Sequence, residues 1–198
     1  MPVHFLYMPA WMIMERVVRM HLTVFAFALF LSAGAAAGDQ LVIDGQSVSS
    51  TLGDEFRIAL GDRYSPSFIK ERFRPFTMEF SDECEGECFV LSRGEASFQI
   101  FGDEESGRIT ALVSWSEAAV DSLGNRVGMP LTKALKSKRG LCEHGEVPLC
   151  RSAIEGLSYF VAGDDRCQLK IPAGAESAVE VDIPDCATVD GFEVVGWR

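Results

Sequence analysis

The sequence predicts an α+β domain: mostly antiparallel β-sheet in meander order, with one or two short helices, stapled by disulfides. Three observations carry this expectation. Apolar and polar residues alternate with period two in successive short runs between Phe76 and Trp115. Helical periodicity is confined to two short stretches. Six cysteines, Cys84, Cys88, Cys142, Cys150, Cys167 and Cys186, all follow an N-terminal segment of the export type.

That segment comes first in order. Arg16, Arg19 and His21 precede Leu22–Ala37, an uncharged run of 16 residues that ends with Ala35 and Ala37 in a small-x-small pattern. A positive flank, a short apolar core and a small-residue site are the parts of a cleaved secretory signal. A spanning helix needs roughly 20 predominantly apolar residues, so cleavage before Gly38 is expected rather than anchoring, with no stable membrane insertion afterwards. Met14 and Met20 are alternative starts to Met1. No cysteine stands near the cleavage site to take a lipid. Residues 38–198 are then one secreted domain, of a size that buries roughly 70% of its unfolded surface.

Within that domain, Asp54–Leu60 is a weak helix candidate with Leu52, Phe56 and Leu60 on one face. Phe76, Met78 and Phe80 alternate with Thr77 and Glu79, and Phe89-Val90-Leu91 is a short apolar run. Ala96, Phe98 and Ile100 alternate with Ser97 and Gln99; Ile109, Ala111, Val113 and Trp115 alternate with Arg108, Thr110 and Ser114. Such alternation marks half-buried strands. The separators, Glu85-Gly86-Glu87, Arg93-Gly94 and Gly102–Gly107, are turn material. Pro130–Lys138 reads as a helix with Pro in its first turn, Leu131, Ala134 and Leu135 inward, and Gly140 as the stop. Leu157–Val161, Val179–Ile183 and Phe192–Trp197 are further strands, the last with Phe192 and Val194 on one face and Val195 and Trp197 on the other.

An even cysteine count in an exported chain reads as disulfides. Zinc sites favour two-residue spacings, often with histidine nearby; here the spacings are Cys-x3-Cys, Cys-x7-Cys and Cys-x18-Cys, and His144 is the one histidine after residue 37. Six cysteines allow 15 connectivities. Local pairing, Cys84–Cys88, Cys142–Cys150 and Cys167–Cys186, is expected because each pair flanks a plausible turn.

The chain carries a formal net charge of −11. Residues 1–37 hold Arg16, Arg19 and Glu15, so residues 38–198 carry −12. That charge repels phosphate backbones and anionic lipid heads, which disfavours nucleic-acid and membrane-surface binding and leaves a basic protein or a cation as partner, or an acidity that serves only solubility. Charge alone gives no specific complex, so an apolar anchor is needed, and Trp115 and Trp197 are the candidates.

No catalytic constellation emerges. Ser-His-Asp or Cys-His chemistry needs a histidine base beside its nucleophile, whereas His144 lies in a turn-like Cys-Glu-His-Gly-Glu stretch. The Cys84–Cys88 pair lacks the redox spacing and sits among Glu83, Glu85 and Glu87, which would raise a thiol pKa. Asp103-Glu104-Glu105 and Asp164-Asp165 offer oxygen ligands for calcium, but neither fits the twelve-residue calcium loop; no metal or other cofactor is expected. Paired carboxylates cannot be found from sequence, because their spacing is spatial.

Three stretches, GRITALVSWSEAAVDSLGNRVGMPLTKAL, the Cys142–Cys150 segment leading into LSYFVAG, and the terminal FEVVGWR, together resemble a family of bacterial envelope lipoproteins of unknown function, one member of which is regulated by the envelope-stress sigma factor. The match covers roughly residues 96–198. It implies a periplasmic address and no established activity. This chain departs from it in lacking a lipoprotein cysteine and in carrying four extra cysteines.

The expected function is therefore that of a periplasmic or secreted, non-enzymatic binding or envelope-maintenance protein, in one form an inhibitor of a basic enzyme. The alternative is a carboxylate-dependent hydrolase such as a glycosidase. Protein recovered from the export compartment should begin at Gly38, which its intact mass checks; a species retaining Leu22–Ala37 would show an anchor in place of a signal.

Overall fold

The alternating runs become strands in the computed structural model, which describes residues 40–53, 56–82, 84, 87–163, 167–172, 174–175 and 177–195. The export segment, its cleavage site at Ala35, Ala37 and Gly38, and Trp197 lie outside the described residues. Among those described, thirteen strands occur in chain order. The first three are β1 (Leu41–Ile43), β2 (Ser47–Ser50) and β3 (Arg57–Ala59). The helix α1 (Pro66–Arg72) precedes β4 (Thr77–Ser81), β5 (Cys88–Arg93), β6 (Ala96–Asp103), β7 (Arg108–Ser114) and β8 (Ala119–Asp121). A single helical turn, α2 (Leu131–Ala134), leads to β9 (Arg139–Glu143), β10 (Leu149–Arg151), β11 (Leu157–Ala162), β12 (Val179–Asp182) and β13 (Thr188–Val195).

Nine strands form one antiparallel sheet in the order β12-β9-β10-β11-β13-β7-β6-β5-β4. The expected meander is its β4–β7 portion. The other four make a small sheet, β3-β2-β1-β8, in which β1 and β8 run parallel. Sheet dominates more than an α+β description implies.

Two expectations for helices are corrected. Asp54–Leu60 is not helical where it is described: residues 57–59 are β3, paired with β2. The β-branched Ile58 is the fully buried residue there; of the supposed helical face, Leu52 is 37% exposed, while Phe56 and Leu60 pack partly buried against the core from either flank of β3. Pro130–Lys138 shortens to one turn because Lys136 adopts a left-handed φ of 53°, which an α-helix cannot continue through. Leu131 and Ala134 are buried as their spacing requires.

The inner face of the large sheet and the small sheet share one core. Leu91, Phe98, Ile100, Leu112, Tyr159 and Phe192 come from the large sheet; Leu41, Ile43 and Ile58 come from the small one. Phe73 and Phe76 follow α1 and meet Phe98 edge-on, with ring centroids 5.0 and 6.2 Å away. Each such ring contributes by area burial and by the edge-to-face attraction of aromatic quadrupoles. The β1–β2 turn lies so close to the β10–β11 turn that a Cβ at Gly156 would sit 2.2 Å from the Gly45 carbonyl oxygen. Gly156 also has a φ of +82°, so both space and conformation demand glycine.

Between the sheets lies a buried polar cluster. The Asp121 carboxylate in β8 accepts the Tyr159 hydroxyl of β11 at 2.6 Å and the Asn125 side-chain amide at 2.7 Å. Its other oxygen accepts the backbone N–H groups of Leu123 and Asn125. The Tyr159 oxygen in turn accepts from Asn125 at 3.0 Å and from Ser152 at 2.9 Å. Burial, followed by the Asp121 contact, holds the Tyr159 hydroxyl far above its ordinary titration range, so it stays a donor at every physiological pH.

The sulfurs pair as Cys84–Cys88, Cys142–Cys150 and Cys167–Cys186. The first ties the β4–β5 turn, the second joins β9 to β10 inside the core, and the third links the segments preceding β12 and β13. On the chain-entropy account, loops of these lengths contribute about 2, 2.5 and 3 kcal/mol. Such bonds belong to chains that fold in an oxidising compartment. No described helix is long and apolar enough to cross a membrane.

Replacing Tyr159 with Phe removes one donor and one twice-used acceptor while keeping the ring. The Asp121 carboxylate and the Ser152 hydroxyl then lose a buried partner, a change that costs about 1–3 kcal/mol. Urea titration of the exported protein should show that loss as a lower midpoint with unchanged slope; an unchanged midpoint would mean that the cluster contributes nothing net.

Candidate functional site

A sheet that commits one face to the core leaves the other to be explained. The parity of β7 decides which residues that other face receives. A bulge opposite Phe101 and Gly102 inserts Thr110 as an extra residue. Ile109 and Leu112 are consequently both buried in the core, while Ala111 and Val113 turn outward with Trp115. The expected single face of Ile109, Ala111, Val113 and Trp115 is therefore split by one irregularity.

On this outer face the structure forms an open groove of about 530 Å³. Its floor is mostly apolar: Phe101 from β6, Ala111 and Val113 from β7, Leu149 from β10 and Phe160 from β11, with Gln99 of β6 the polar residue among them. Gly145, Glu146 and Val147, from the loop between β9 and β10, line one side, and Cys84 reaches it at the β4–β5 turn.

Trp115 heads the groove. Its ring stacks on Phe160 with centroids 4.0 Å apart and planes 28° from parallel, yet it remains 40% exposed. Local hydrogen bonds set the chain on either side of it. The Ser114 hydroxyl donates to the Ser97 carbonyl at 2.7 Å, and the Ser116 hydroxyl to the Glu95 carbonyl at 2.6 Å. Gly191 leaves the space that the indole needs: a Cβ there would lie 2.8 Å from the indole Cε3 and 2.8 Å from the Ser114 carbonyl oxygen.

Glu193 is the ionisable group within this setting. It lies opposite Val113 in β13 and lines the groove. Burial pushes its carboxyl above the ordinary carboxylate range, and the charge of Glu143 adds to the shift. Glu146 is a second carboxylate at the lining, and no described lining residue is basic. Arg151 lies on the same face, opposite Ser158, which is in turn opposite Glu193. The arrangement can hold an apolar or aromatic group against Trp115 and Phe160, and it favours positive charge near Glu193.

His144 is exposed and lines a different groove, of about 630 Å³, with Val161, Leu169, Ile171 and Asp190 among its neighbours. Asp103 and Glu105 occupy an exposed turn in which the Asp103 side chain accepts the Glu105 backbone N–H. Asp164-Asp165 lies outside the described residues. Among the described residues, no three His, Cys, Asp or Glu side chains converge as metal ligands. The residues that sequence reasoning missed are Phe160, Gly191 and Glu193. Their signals were present in outline: Glu193 interrupts Phe192 and Val194 as the polar member of an alternating strand, and Gly191 precedes them.

No family model matches the chain, and no curated protein matches it. Among solved structures, the crystal structure of the uncharacterized protein yfeY from Escherichia coli superposes with a TM-score of 0.51 at 13% identity, over 79% of this chain and 99% of that one. What is shared at such identity is the fold.

Glu193 also makes a prediction about pH. Its folded pKa is raised above the ordinary 4.5, so the folded state holds this proton more tightly than the unfolded state. Its contribution to stability is therefore fully present below about pH 4 and is lost as pH rises through the folded value. Glu193→Gln should be more stable than the parent at pH 7.5 and lose that advantage at pH 4, as read from urea midpoints. An equal difference at both pH values would place its cause elsewhere.

Proposed function

We propose that this chain is an exported protein of the bacterial envelope that acts by binding, and that the groove headed by Trp115 receives a protein partner with a basic surface. The single observation that carries this reading is an apolar groove with an exposed, stacked indole and only acidic ionisable groups in its described lining. A charge of −12 over residues 38–198 supports it, because opposed surface charges steer encounter. The three disulfides and the resemblance to envelope lipoproteins of unknown function support the address. Inhibition of a basic enzyme is one form that such binding takes.

The carboxylate-hydrolase reading has one observation in its favour. Glu193 has the raised pKa that a general acid requires, and Glu143 contributes to that shift. The apolar floor argues for contact with a partner instead.

The test is affinity capture from envelope extract by protein purified from the export compartment, followed by binding kinetics with the captured partner across a salt series. The partner should be basic, and association should slow as salt shortens the Debye length to about 8 Å at physiological strength. Trp115→Ala should weaken binding by more than about 1 kcal/mol, the mark of an interface hot spot, whereas His144→Ala should not change it. A neutral or acidic partner, or salt-independent association, would remove the electrostatic part of the proposal.

A further inference from the structure

We propose that the groove is a receptor for one cationic side chain of the partner, an arginine or a lysine, laid along the Trp115–Phe160 stack with its charge at Glu193. This rests on the binding reading above and names the group that is bound.

Three features of the groove converge on such an occupant. The first is shape and surface: an open trough whose partly exposed floor of Phe101, Ala111 and Phe160 suits the methylene stem of a long side chain. The second is the indole. Phe160 stacks with Trp115, yet 40% of Trp115 is left exposed, and a tryptophan face is the strongest aromatic partner for a cation. The third is charge. Glu193 and Glu146 line the trough, and no described lysine or arginine lines it. An apolar ligand alone would bury the Glu193 carboxylate further while bringing it no donor, which is costly. A ligand carboxylate would face two acids. A cation on an aliphatic stem satisfies floor, indole and carboxylate together, and a guanidinium adds planar donors to the carboxylate oxygens.

The same arrangement makes binding depend on pH. Protonating Glu193 removes the charge that the ligand meets, and burial together with Glu143 brings that protonation to a higher pH than for an ordinary glutamate. The other charged groups in the vicinity are Glu146 at the lining and Arg151 on the same face. Occupancy should therefore fall on acidification before the bulk of the surface carboxylates have titrated.

The probe is Nα-acetyl-arginine N-methylamide, with the neutral isostere Nα-acetyl-citrulline N-methylamide as its control. Both are titrated into the exported protein while the Trp115 indole N–H resonance is followed, assigned by its loss in Trp115→Phe. The arginine compound should shift that resonance saturably, and the citrulline compound should bind at least about tenfold more weakly. Glu193→Gln should reduce arginine binding by about tenfold. Glu71→Gln removes the same unit of charge from an exposed position on α1 and should leave binding within about twofold.

Equal binding of the two compounds would overturn the cation assignment while leaving the groove as a binding site. Equal effects of Glu193→Gln and Glu71→Gln would reduce it to the general field of an acidic protein. No shift of Trp115 by either compound, with Trp115→Ala still weakening the captured partner, would overturn this inference alone. No effect in either experiment would overturn the groove reading as well.

Discussion

The Asp121 carboxylate is the constraint on which the rest of the architecture depends. It is 2% exposed, and a buried charge survives only if its oxygens are matched by donors. Here four hydrogen bonds converge on it, from the Leu123 and Asn125 backbones, the Asn125 amide and the Tyr159 hydroxyl. Three of these come from its own turn and one comes from the other sheet. Apolar packing between the sheets is non-directional and tolerates sliding; a 2.6 Å bond from a hydroxyl at the end of a rigid ring does not. The cluster therefore sets the register of the small sheet on the large one, and the Gly45–Gly156 contact holds the same junction by close backbone approach.

Once the small sheet is seated, the two faces of the large sheet have different fates. The inner face is filled, and its rings, aliphatic side chains and Cys142–Cys150 disulfide have no exposure left to offer. On the outer face, across β11, β13, β7 and β6, Phe101, Ala111 and Phe160 are only partly buried and Trp115 is 40% exposed, although none of them belongs to the buried core between the sheets. Large apolar groups that a fold leaves in water, rimmed by polar residues, mark surfaces where something docks. The bulge at Thr110 matters for this reason. Without it Ile109 would share the face of Ala111 and Val113, and the core under β7 would lose one of its buried residues.

The legible parts of the sequence were those where a local rule was sufficient. Period-two alternation located β4, β6 and β7, β5 was legible as a short apolar run, and β11, β12 and β13 as further apolar strand segments. Three-residue strands such as β1, β3 and β8 carry too few positions to show a period, and their burial comes from pairing at a distance. The mistaken helix at Asp54–Leu60 arose because Leu52, Phe56 and Leu60 match a helical spacing by coincidence, whereas the fully buried positions are Ile58 and its cross-strand partner Val48. For the groove, Trp115 was visible as an anchor candidate. Phe160 and Glu193 were not, since their approach to Trp115 follows from the insertion of β13 between β7 and β11, a non-local pairing that no short window encodes.

The groove is also built to be rigid, and the covalent framework reaches it. Cys84 lines it, in the bridge that ties the β4–β5 turn, and the loop bearing Gly145–Val147 is closed at its base by Cys142–Cys150. Ser114 and Ser116 fix the chain on both sides of Trp115 through bonds to main-chain carbonyls, so the indole is held by backbone geometry as well as by its stacking. Ordering side chains and loops is one of the main costs of association, about 0.5–1.5 kcal/mol for each flexible side chain immobilised. A groove whose walls are already fixed avoids much of that cost. The disulfides thus tie the stability of the fold to the shape of the groove: the Cys142–Cys150 bond that joins β9 to β10 also closes the loop bearing Gly145–Val147, so its loss frees that wall of the groove even where the sheet itself survives.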